Sequence, residues 1–145
     1  MSVIGLLTGT NPHLYELKVV RKGLNESGYF EGRDLAIIYR SADSQLEQLP
    51  RLATELVDAK VSVILTIGPP AARVAKTVTR TIPVVFAYGG DPVADGLVDS
   101  INRPGGHVTG VTFFAATLTA KKFDLLREIV PQATDIGLLV SRPVR

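Results

Sequence analysis

Cysteine is absent from the 145 residues. That excludes disulfides, thiolate nucleophiles and cysteine-built zinc sites, and it leaves the redox compartment open. Long apolar runs are absent as well: no stretch approaches the ~20 residues that a membrane-spanning helix needs. Charge of one sign is nowhere concentrated. The longest basic block is Lys121-Lys122, and 16 basic against 14 acidic residues leave a net charge of +2. A nucleic-acid binder carries a clustered basic stripe, so no nucleic-acid partner is expected, and the isoelectric point near 9.0 reflects near-balance rather than a strong field. The stretch Met1 to Leu7 has no charged n-region and no cleavage site. Two readings follow, a cytoplasmic protein or one whose export signal lies outside these residues.

The signatures of several enzyme classes are missing too. No G-x-G-x-x-G follows a strand, no G-x-x-x-x-G-K-[ST] occurs, and no G-x-S-x-G elbow is present. The two histidines, His13 and His107, lie far apart beside turns, and no base adjoins a nucleophile. A receiver domain needs acidic residues after its first strand, where this chain has Thr8-Gly9-Thr10. Neither a cofactor nor a metal is expected.

What the chain does have is alternation. Apolar residues make up 46% and charged residues 21%, a globular balance in a length that suits one domain. Short apolar runs at Val3–Leu7, Leu35–Tyr39, Val61–Ile67 and Pro83–Phe86 read as strands. Between them, Leu14, Leu17, Val20 and Leu24, then Leu46, Leu49, Ala53, Leu56 and Val57, recur at helical spacing. Gly28 suits the left-handed position that closes the first helix, and Pro50 suits the start of the second. Gly68-Pro69-Pro70 leads into a helix bearing Ala71, Ala72, Val74, Ala75 and Val78. Later come a strand-like run from Val108 to Phe114, a helix capped by Thr119, and a last strand at Ile136–Val140. Repeated strand–helix units predict an α/β fold, a doubly wound parallel sheet in three αβα layers with right-handed crossovers.

In such a sheet ligands bind at the carboxyl ends of the strands. Three turns meet there. Thr8, Gly9, Thr10 and Asn11 are small and rich in hydroxyl and amide groups. Gly68, Pro69, Pro70 and Ala71 open a helix whose free amides favour a carboxylate, although the two prolines carry no N–H. Tyr88, Gly89, Gly90 and Asp91 offer an aromatic face and a carboxylate for an ammonium group. Each turn also has a plain reading, as a strand-to-helix turn, a helix start or an Asp-Pro turn. Their meeting at one sheet edge favours a small-molecule site.

Five segments in this order resemble the N-terminal part of an ABC-transporter substrate-binding protein family, in the aromatic amino-acid branch of the periplasmic binding proteins. They are LNESGYFEGRDLAIIYR, LPRLATELVDAKVSVILTIG, TIPVVFAYGGDPVADGLV, NRPGGHVTGVTFF and KKFDLLREIVPQATDIGLLV. The resemblance covers nearly the whole chain. It implies a periplasmic-binding-protein type I lobe and a two-lobed receptor that closes over its ligand like a hinge. It also implies no catalytic residues, delivery of solute to an ABC permease, and a periplasmic or cell-surface-anchored location. The first-lobe contacts would be Thr8 to Asn11, Gly68 to Ala71 and Tyr88 to Asp91. Residues 1–114 would form that lobe, and 115–145 a crossover helix and first strand of a second. Two positions depart from the family's pattern: Pro69 replaces a small polar residue, and His107 stands where asparagine is usual.

Two lobes need roughly twice this length at ordinary domain size. Phe123, Leu126, Ile129 and the 136–140 strand are therefore expected to seek cover, in a homodimer through residues 115–145 or by folding back on the sheet. Other readings of the residues remain. One is an effector-binding sensory domain of the same fold, another a truncated lobe without independent activity. A third is an isomerase or racemase using Asp91 as base, for which the chain supplies no partner acid.

Overall fold

The computed structural model describes residues 1–10, 14–113 and 118–137. Five strands form one sheet: β1 (Ser2–Thr8), β2 (Leu35–Ser41), β3 (Val63–Ile67), β4 (Val84–Tyr88) and β5 (Val108–Thr112). Their order is β2-β1-β3-β4-β5, and every pairing is parallel. The helices are α1 (Leu14–Glu26), α2 (Leu49–Asp58), α3 (Pro69–Val78) and α4 (Thr119–Ile129). The doubly wound α/β class is as the alternation predicts.

Side-chain parity along paired strands sorts the sheet into two faces. Leu7, Ile64, Val84, Phe86, Tyr88 and Val108 point to one face and are buried in a single cluster. Leu52, Ala53 and Leu56 of α2 and Ala71, Ala72 and Ala75 of α3 close that cluster from above. Alanines on α3 let the two helices lie side by side over the sheet. Right-handed crossover from β1 to β2, which runs opposite in direction to β3 to β4, places α1 on the other face. There Leu6 is fully buried while Ile4, Ile37, Val63, Leu65, Ile67 and Val85 are half-buried.

The elements differ in detail from the sequence-based expectation. A 3-10 turn at Leu46–Gln48 precedes α2, so Leu46 stays exposed and Pro50 falls in the first helical turn, where its missing N–H costs nothing. Leu118, not Thr119, occupies the N-cap of α4, without a side-chain cap. Gly28, with φ 85°, does follow the end of α1. The segment 89–107 between β4 and β5 contains no helix, yet Pro92, Leu97 and Val98 from it are buried. Leu97 and Val98 join the main cluster.

The last expected strand is not found in its described part. Ile136 and Gly137 lie outside any strand, and Leu138–Val140 fall outside the described residues, as do Phe114 at the end of the β5 run and residues 115–117. A strand exists by pairing its backbone with a neighbour, and Ile136 has none among the described residues. No side chain of α4 is buried, and its Ile129 is 76% exposed.

Candidate functional site

Connections leave β1 and β3 toward opposite faces, so a crevice opens at the carboxyl ends of these adjacent strands. Thr8–Thr10 and Gly68–Ala71 flank it, and both were expected site segments. Asn11 lies outside the described residues.

On the β1 side the loop is held from within. Thr8 is buried, and its hydroxyl reaches the Thr10 carbonyl at 2.7 Å and the Tyr39 hydroxyl at 3.1 Å. The backbone of β2's exit loop also ties in: Ala42 donates to the Thr8 carbonyl at 3.0 Å and Ser44 to that of Gly9 at 2.9 Å. Thr8 and Gly9 thus serve as the floor, and Thr10 is the exposed residue of the turn.

On the β3 side, Gly68 takes φ 87° and ψ 159°, a backbone that favours glycine, and so turns the chain sharply into α3. Its own N–H donates to Ala87 at 3.1 Å, and its carbonyl accepts from Ala72 at 3.3 Å. Pro69 and Pro70, both half-buried, carry no N–H. Among the described residues Ala71 is therefore left with the one unpaired amide of the helix start, which retains the positive end of the α3 dipole.

The third segment behaves differently. Tyr88 has no exposed surface: it faces the α3 side, edge-on to Phe86 with ring centroids 5.8 Å apart. It presents no aromatic face to the crevice, because its position on β4 has the parity of Val84 and Phe86. Its hydroxyl donates a short hydrogen bond to Asp95 Oδ2, and Arg73 of α3 lies 3.4 Å from Asp95 Oδ1. Burial, first, and then the Asp95 bond raise the Tyr88 pKa above the ordinary phenol value. The Tyr88 hydrogen bond, with Arg73 adding to it, lowers that of Asp95. Gly89 is half-buried at the loop's start. Asp91 Oδ1 accepts from the amides of Val93 at 2.9 Å and Ala94 at 3.1 Å, leaving Oδ2 without a hydrogen bond among the described residues.

Tyr39, Ser44, Arg73, Asp95 and Thr112 were missed by reasoning from sequence. Tyr39 ended a recognised strand, and only its register opposite Leu6, two residues from the Thr8–Ser41 pair and so on the same face, brings its hydroxyl to Thr8. Arg73 and Asp95 lie on a helix and a loop with no spacing pattern to link them. A cavity of about 280 Å³ beside β5, lined by Phe86, Pro92, Val98, Ile101 and Val111 among others, shares no residue with the expected contacts. Among the described residues no cluster of His, Cys, Asp or Glu can hold a metal ion.

A doubly wound, all-parallel sheet with its switch point between β1 and β3 is the class of protein this geometry defines: an open three-layer α/β domain. Residues 10–144 match the family model described as ABC transporter substrate binding protein, and the chain belongs to that family. A tyrosine-binding protein of Clostridioides difficile is 30% identical over 120 residues, 83% of this chain and 34% of the relative. A conserved domain protein from Vibrio cholerae superposes with a TM-score of 0.79 at 28% identity, over 90% of this chain and 44% of the other. An ABC domain in complex with L-Trp from Streptococcus pneumonia superposes at 0.70 and 28% identity, over 77% and 38%. The chain thus spans about a third of the length of the curated relative it matches and under half of these solved chains. The family is one of substrate-binding proteins, not of enzymes.

Proposed function

We propose that this chain is the ligand-binding lobe of a solute receptor for ABC import, and that it takes an amino acid, aromatic ones preferred, at the carboxyl edge of its sheet. The observation that carries the reading is the β1/β3 crevice, bounded by Thr8–Thr10 and Gly68–Ala71, in a chain of this family. Thr10, Asn11, Ala71, Gly89 and Asp91 supply the direct contacts, while Thr8, Gly9, Gly68, Pro69, Pro70 and Tyr88 build the frame behind them. The unpaired Ala71 amide and the α3 dipole favour the ligand's carboxylate. Asp91 Oδ2 pairs with its ammonium group. The names of two relatives, one tyrosine-binding and one bound to L-Trp, support the aromatic preference.

The permease partner and a periplasmic or cell-surface location belong to the same proposal and follow from the family's role. With two prolines at the helix start, carboxylate capture rests on a single amide. One lobe, moreover, offers only one wall of a closing site. Calorimetry with L-tyrosine, L-tryptophan and L-phenylalanine, with L-glutamate as control, tests the reading. Weak binding of the aromatic ligands is expected, with Kd above about 1 μM. Sub-micromolar affinity overturns the one-lobe argument, and no preference over glutamate overturns the aromatic one.

A further inference from the structure

The loop that carries Gly89, Gly90 and Asp91 hangs on a side chain that lies beneath it. Tyr88 is the largest fully buried side chain among the described residues, yet it ends in a hydroxyl. A phenol that deep needs a partner, since an unpaired buried hydroxyl is costly. Asp95, four residues beyond Asp91, supplies it, and Arg73 from α3 braces Asp95 from outside. Gly90 fills the space between them: a Cβ there would stand 2.9 Å from the Tyr88 ring and 3.2 Å from Asp95 Oδ2. The loop is therefore wrapped tightly around the phenol. Other bonds complete the wrap. Thr112 donates its hydroxyl to the Gly90 carbonyl at 2.8 Å, Phe113 its amide to the Tyr88 carbonyl at 3.1 Å, and Asp95 its amide to the Asp91 carbonyl at 3.0 Å.

From this geometry we infer that Tyr88, with Asp95 and Arg73, is a positioning latch that holds the Gly89–Asp91 loop in its ligand-ready shape and touches no ligand itself. The inference rests on the amino-acid-binding reading above for what the loop does, and on the contacts alone for what the latch does. Closing the loop from Tyr88 to Asp95 fixes where Asp91 Oδ2 sits relative to α3, because Arg73 belongs to the helix whose first turn holds the Ala71 amide. Both ends of a bound amino acid are thereby referred to one rigid element. Affinity for a ligand that needs both ends depends on that distance being set before binding.

Tyr88→Phe keeps the ring and its burial and removes only the hydroxyl. In this variant, amide hydrogen exchange at Asp95, Gly96 and Leu97 is expected to quicken at least about tenfold relative to the amides of β1 and β3. Affinity for L-tyrosine and L-tryptophan is expected to fall about tenfold. Asp95→Asn keeps an acceptor for the phenol but gives up the carboxylate oxygen that faces Arg73, so it should retain most of the exchange protection and lose part of the affinity, whereas Asp95→Ala should match Tyr88→Phe in both. A uniform rise in exchange across the sheet, or loop opening with unchanged affinity, overturns the latch. If the unmodified chain binds neither amino acid, the ligand reading fails on its own. The exchange measurements then decide the latch: local opening rescued by Asp95→Asn upholds it, and uniform change overturns it.

Discussion

Ionisation of the Tyr88 phenol sets an alkaline limit on stability. Its folded-state pKa is raised, chiefly by burial, above the unfolded value of about 10. The stabilisation is therefore complete below about pH 10 and is lost as pH climbs through the folded pKa. Thermal melts should accordingly show a Tm that declines above pH 10, with a shallower decline in Tyr88→Phe. Asp95 has the opposite sign: its pKa is lowered by the Tyr88 hydrogen bond, so its contribution is lost as pH falls through the folded value. Asp95→Asn should soften the acid limb. Gly68 is a second single-residue test. A Cβ there meets nothing within 4 Å, but φ is 87°, so Gly68→Ala carries a backbone penalty alone. Denaturant titration should find it destabilised by about 1–3 kcal/mol.

Elements differ in how firmly they are held. Leu56 of α2 is fully buried against β1, and Leu56→Ala should lower unfolding free energy by about 2–5 kcal/mol in chemical denaturation. Leu126 of α4 is 43% exposed, and Leu126→Ala in the same assay, run at a concentration where the chain is monomeric, should change it by no more than about 0.5 kcal/mol. The contrast follows from cover rather than composition, because both helices carry a row of apolar residues. Helical spacing made both visible in the sequence. Periodicity marks a face that can be buried; it does not say which surface meets it. For α2 that surface is the β1–β2 half of the sheet. For α4, among the described residues, it is solvent. The same limit explains Ile136: an apolar run was legible, but pairing with a neighbouring strand was not.

At the scale of the whole molecule, the homodimer expected from the sequence through residues 115–145 would bury the exposed Leu126 and Ile129 of α4. Sedimentation velocity should find a concentration-dependent dimer that Leu126→Asp and Ile129→Asp abolish; a monodisperse monomer at high concentration would refute it. Much of the architecture was local information. Apolar runs of five to seven residues determine strands, helical spacing determines α1 to α3, and right-handed crossovers between parallel strands turn that alternation into a doubly wound sheet. The turn residues at Thr8–Thr10 and Gly68–Ala71 were equally legible, because strand ends in such a sheet converge on one edge. Tyr88 and Asp91 were legible as residues but not as roles. Whether Tyr88 faces ligand or core depends on the register of β4 and on α3 covering that face. Its partners, Asp95 and Arg73, come together only when the 89–107 loop folds back over the sheet. Sequence by itself determined the scaffold and the sheet edge proposed for the ligand, since those arise from short-range patterning. Only tertiary structure decided which groups at that edge face outward and which hold it from beneath, because packing and long-range hydrogen bonds leave no local signature.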